Sequence, residues 1–197
     1  MDDHQHSGVR LWRLPGGLLV SVILAVFWLP FYDAIVHGQV TPILTGILAL
    51  GMGRTPFQRG LLVGLAAALK PTFVLLIPFV SLSFGWSALG GCLLTASLGM
   101  LPFHLFADYI GLLPELTQRA YGDIGLMRLL GAPVAIPCAM AVCLWISVRW
   151  RGKEESYMGI IAAVVLATAL WFHAYTPLVL PAVFFTSRIL NQRLPKT

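Results

Sequence analysis

The chain has little charge: only 11% of its 197 residues are Asp, Glu, Lys or Arg, whereas 58% are hydrophobic. So few ionic groups cannot cover a water-facing surface, which excludes an ordinary soluble domain and points to an integral membrane protein. Cysteine is also sparse. Cys92, Cys138 and Cys143 lie in apolar runs, with no C-x-x-C pair and no histidine at ligand spacing, so neither a disulfide framework nor a metal site is expected. No Walker A lysine pattern, G-x-S-x-G or H-E-x-x-H is present. Acidic residues are outnumbered, giving a net charge of +5. The basic residues stand at the ends of apolar runs, where they orient membrane segments, so nucleic acid is not an expected partner.

Long uncharged runs extend over Leu14–Tyr32, Pro71–Phe103, Leu129–Val148 and Ser156–Ser187. Each is near or above the roughly 18 to 20 residues that cross a bilayer as a helix. The expected fold is therefore an all-α, polytopic transmembrane bundle forming one integral membrane domain over residues 1–197. Asp2 and Asp3 oppose a basic n-region and no small-residue cleavage site follows the first run, so that run reads as a retained anchor. It is expected to end near Pro30, followed by a short polar link carrying Asp33 and His37.

Lys70 is the residue around which the sequence is organised. It stands in the apolar stretch Gly60–Phe84, directly before Pro71. A lysine at membrane depth is costly and reads as functional by default, the plainer reading being a side chain that snorkels to an interface. The stretch either crosses once or enters and returns as a re-entrant hairpin with Lys70 and Pro71 at its tip. Charge counting separates the two. A hairpin gathers ten basic residues inside (Arg10, Arg13, Arg54, Arg59, Arg149, Arg151, Lys153, Arg188, Arg193 and Lys196) and leaves Arg119 and Arg128 outside. A single crossing splits the same residues six and six, which removes the asymmetry that orients membrane proteins. The hairpin is therefore predicted, with both chain ends cytoplasmic and the chain in the plasma (inner) membrane. Gly60, Gly64 and Ala68, at i, i+4 and i+8, predict close approach of another helix.

This topology brings Asp33, His37, Gln39, His104, Asp108, His173 and Tyr175 to the outer face, with Lys70 reaching toward them. The outer segment also carries Glu115 and Asp123. A cation facing such a pocket suits the phosphate of a lipid-linked substrate.

The stretch GQVTPILTGILAL, a short basic loop and RGLLVGLAAALKPTFVLLIPF resemble the central block of GT-C fold glycosyltransferases of the family 87 type, which includes polyprenol-phosphate-mannose-dependent mannosyltransferases. ADYIGLLPEL, GDIGLMRLLG and HAYTPLVLPA extend the resemblance. It implies transfer of a hexose, with mannose favoured, from a polyprenyl-phosphate donor to a lipid or glycan acceptor on the external face. The lipid-linked sugar is then a substrate, and no separate cofactor is expected. Gln39 and Lys70 would line the donor site, Lys70 countering phosphate charge and stabilising the leaving group; His173 and Tyr175 would sit at the external rim. Family members carry several helices and a base-bearing loop before the G-Q helix, whereas one helix precedes Gly38 here. The chain thus resembles the carboxyl-terminal half, and no catalytic base is assigned. Two rival readings stand beside it: a non-catalytic subunit pairing with a longer membrane chain through the Gly60 and Gly64 face, and a small transporter.

Overall fold

The computed structural model describes residues 28–36, 38–99, 130–168 and 172–193. The expectations placed on the amino-terminal run before residue 28, on His37 and on the segment carrying His104, Asp108, Glu115, Arg119, Asp123 and Arg128 lie outside these residues. The described chain is all-helical. Its helices are α1 Leu29–Val36, α2 Thr41–Leu50, α3 Pro56–Leu69, α4 Leu76–Phe84, α5 Trp86–Gly99, α6 Ala132–Arg149, α7 Glu154–Thr168 and α8 Val179–Arg193. Two 3-10 segments, Pro71–Leu75 and Phe172–Leu178, join α3 to α4 and lead into α8.

Local sequence sets these boundaries. The Thr55 side chain accepts from the Gln58 backbone N–H at the start of α3, and Pro56 occupies a first-turn position that needs no donor. At the other end, Pro71 forces the preceding residue out of helical conformation. Lys70 is accordingly extended, at φ −141° and ψ 103°. Gly85, at φ 87°, ends α4 and lets α5 start at once. The polar link expected at Asp33 is instead part of α1, because Pro30 sits in the first turn and starts that helix where it was expected to end one.

The direction of each rod follows from the close approaches. A Cβ on Gly60 would collide with the Ala88 carbonyl oxygen, one on Gly64 with that of Cys92, and one on Gly99 with the Ala68 Cβ. Rising numbers on α3 meet rising numbers on α5, so the two helices are parallel. The segment between them, Lys70 to Gly85, must then run back, making a helical hairpin whose tip is Lys70–Pro71. The small-residue face of α3 is covered by α5 of the same chain, so it is not open to a second chain as the subunit reading required.

The remaining helices alternate. Cys143 and Ile146 of α6 lie against Ile160 and Gly159 of α7, which makes that pair antiparallel. Arg188 on α8 pairs with Glu155 at the start of α7, so α8 runs against α7. At the centre stands α7, with Ser156 to Ile161, Val164, Val165 and Ala167 buried. Leu44, Leu48, Val63, Phe73, Leu76 and Val80 pack around it.

One end of the bundle therefore holds the 51–55 loop, the Gly85 turn and the 150–153 loop. The other holds the hairpin tip, the α1–α2 turn and the Phe172–Leu178 segment. Among the described residues no helix is long and apolar enough to cross a membrane. The longest, α6 with 18 residues, spans about 27 Å at 1.5 Å per residue. The Gly85 turn divides the uncharged run Pro71–Phe103, and the 3-10 segment Phe172–Leu178 divides the run Ser156–Ser187.

Candidate functional site

Lys70 is held by its backbone on both sides. Its N–H donates to the Ala66 carbonyl at 2.9 Å, and its own carbonyl accepts from the Phe73 N–H at 2.9 Å. The residue is half-buried. Among the described residues its ammonium has no hydrogen-bond or ion-pair partner, and every other basic residue whose side chain is described stands toward the opposite end. An ammonium so placed can hold an anion through charge-assisted hydrogen bonds.

Gln39 and Tyr175 lie at the same end. Gln39 is exposed and directly precedes α2; its N–H donates to the Ala34 carbonyl at 2.8 Å. Gly38, at φ 61°, makes the turn that allows this bond and leaves nothing within 4 Å of where a Cβ would stand. Tyr175 is half-buried on the 3-10 segment and packs on the core. Its neighbour Thr176 is buried and donates from Oγ1 to the Pro30 carbonyl at 3.0 Å, tying this segment to α1. For His173 the backbone places the residue on the same 3-10 segment. All four expected substrate-binding residues thus stand at one end, without a hydrogen bond between Lys70 and Gln39.

Below the tip, in the same half of the bundle, an apolar crevice opens between α4, α6 and α7. Leu75, Phe79, Ile136, Met140, Cys143 and Val164 line most of it. Thr168 also borders it, but its hydroxyl is already committed to the Val164 carbonyl at 2.8 Å. The crevice is shallow, with a cavity volume of only about 10 Å³, and its lining offers a sugar nothing to bond. Among the described residues no cluster of three His, Cys, Asp or Glu could hold a metal.

The opposite end contains a constellation that charge counting misjudges. Arg59 was expected as an orienting cation of a cytoplasmic loop, yet it is only 2% exposed. Its Nη2 pairs with Glu154 Oε1, its Nε donates to the Gly51 carbonyl at 3.0 Å, and Nη2 also reaches the Arg54 carbonyl at 3.5 Å. The guanidinium lies 4.0 Å from the centre of the Phe84 ring and 5.0 Å from that of Tyr157. Tyr157 is itself fixed by its hydroxyl, which donates to the Leu48 carbonyl at 2.9 Å. One sequence signal could have found this: Arg59 falls at i, i+4, i+7 and i+8 with Val63, Ala66 and Ala67, on the buried face of α3.

Compared with protein-family models, curated proteins and solved structures, the chain matches none of them.

Proposed function

We propose that the chain is a membrane-embedded helical bundle that binds a polyprenyl-phosphate sugar, as the carboxyl-terminal part of a GT-C-type hexosyltransferase that passes the sugar to a lipid or glycan acceptor. The observation that carries this reading is the isolation of Lys70: a partnerless cation at a hairpin tip, with Gln39 and Tyr175 at the same end. Phosphate and hydrocarbon are the two halves of such a donor. The ammonium suits the first, and the outward-facing apolar side chains of the bundle suit the second.

Two features support the membrane setting. Large apolar side chains face outward in bands, including Leu93, Leu94 and Leu98 on α5 and Val134, Val142, Leu144, Trp145 and Val148 on α6. Water-soluble monomers rarely expose contiguous apolar surface on this scale. The described basic side chains other than Lys70 all stand toward one end, which matches the asymmetry that orients membrane proteins. On this reading the hairpin is re-entrant and Lys70 faces the external side.

The test is binding of polyprenyl phosphate by the full chain in mild detergent. Lys70→Met should weaken binding by at least tenfold, whereas Arg151→Met, at the far end, should leave it unchanged. Equal affinities for the two variants would remove Lys70 from the site.

A further inference from the structure

The geometry points to a second anion-binding surface, at the end of the bundle opposite Lys70, that takes the headgroups of anionic phospholipids. In sequence the segment Trp150–Glu155, WRGKEE, looks balanced, since two cations are followed by two acids. The fold removes that balance. Glu154 is taken by Arg59 of α3, and Glu155 by Arg188 of α8. Both carboxylates are thus neutralised by cations from other parts of the chain. Arg149, Arg151 and Lys153 are exposed, and among the described residues none of them has an acidic partner.

A fourth cation stands beside them. The Gly53 N–H donates to Glu154 Oε1 at 3.2 Å, which brings the 51–55 loop against the 150–153 loop. Arg54 is exposed there, its Nε spent on the Leu50 carbonyl at 3.3 Å, which leaves its charge uncompensated. Aromatic rings border the cluster: Trp145 and Trp150 meet edge to face at 5.5 Å, and Trp86 is 85% exposed at the same end. Indole rings favour headgroup depth, and each cation near an anionic leaflet favours association by about fivefold. Four cations on two touching loops and the adjoining end of α6, with indoles at the apolar boundary, fit phosphate carried on a lipid. The surface rests on the membrane reading above but not on the Lys70 site.

The experiment uses the full chain, purified in mild detergent and offered an equal mixture of phosphatidylglycerol and phosphatidylcholine; retained lipids are counted by mass spectrometry. At low salt the chain should retain phosphatidylglycerol with a preference of about tenfold, collapsing toward parity near 1 M salt as screening removes the attraction. The variant Arg54→Gln, Arg149→Gln, Arg151→Gln, Lys153→Gln should show parity at both salt concentrations. Lys70→Met should keep the wild-type preference, which separates this surface from the polyprenyl-phosphate site. Parity in the wild-type chain at low salt would overturn the proposal without needing any variant to fold. So would a wild-type preference in the quadruple variant. A chain that stays in solution without detergent would overturn the membrane reading itself.

Discussion

Arg59 and Glu154, 95 positions apart, form an ion pair that joins the start of α3 to the start of α7, with the Arg59 side chain 3% exposed and that of Glu154 28% exposed. The pair closes the end of the bundle where three turns meet. Gly53 N–H binds the same carboxylate oxygen, and Gly152 N–H donates to the Ser83 carbonyl at 3.0 Å, so the 51–55 loop, the end of α4 and the 150–153 loop are fastened together.

Removing one partner should cost much more than removing both. Glu154→Gln leaves a guanidinium buried between Phe84 and Tyr157, and breaking a buried pair in this way costs about 3 to 5 kcal/mol. The double variant Arg59→Met, Glu154→Gln should recover much of that loss. Unfolding in detergent, followed as a double-mutant cycle, measures the difference.

Packing of α3 on α5 depends on the absence of a side chain at Gly60. Gly60→Ala places a methyl group against the Ala88 carbonyl and should cost about 1 to 3 kcal/mol, the usual range for overpacking. Gly90, on the open side of α5, has nothing within 4 Å; Gly90→Ala should be neutral or stabilise by about 0.5 to 1 kcal/mol through helix propensity. The same unfolding assay compares the two.

Ser83 Oγ donates to Ser156 Oγ at 2.7 Å, and both residues are buried. Ser83→Ala leaves the Ser156 hydroxyl without this partner in the interior and should cost about 1 to 3 kcal/mol. Replacing both by Ala should cost less than the single change, because no polar group is then stranded.

The hairpin was legible because two independent signals agree at one place. Lys70 before Pro71 breaks the helix, and the charges on either side stay asymmetric only if the chain turns back there. The small residues Gly60, Gly64 and Ala68 announced a close helix neighbour, but nothing in their spacing tells whether it comes from this chain or another. Arg59 was misread for a related reason: charge counting treats every arginine as solvated, and its acid partner lies on a distant helix. Asp33 was placed in a link because Pro30 can either end a helix or begin one, and the structure takes the second choice. That Lys70, Gln39 and Tyr175 stand at one end was legible from the alternating direction of the helices they adjoin. The crevice was not, since it is assembled from α4, α6, α7 and the segment after Lys70.

The most direct test of the re-entrant arrangement is the sidedness of Arg54 and Ser87, two exposed positions on either flank of the hairpin. Single cysteines at these positions and at Gln39, in a chain lacking Cys92, Cys138 and Cys143, are labelled with an impermeant maleimide from each side of the membrane. The hairpin predicts that positions 54 and 87 label from the cytoplasmic side and position 39 from the opposite side. Labelling of positions 54 and 87 from opposite sides would mean that the stretch crosses the membrane once, contradicting both the hairpin and the placement of Lys70.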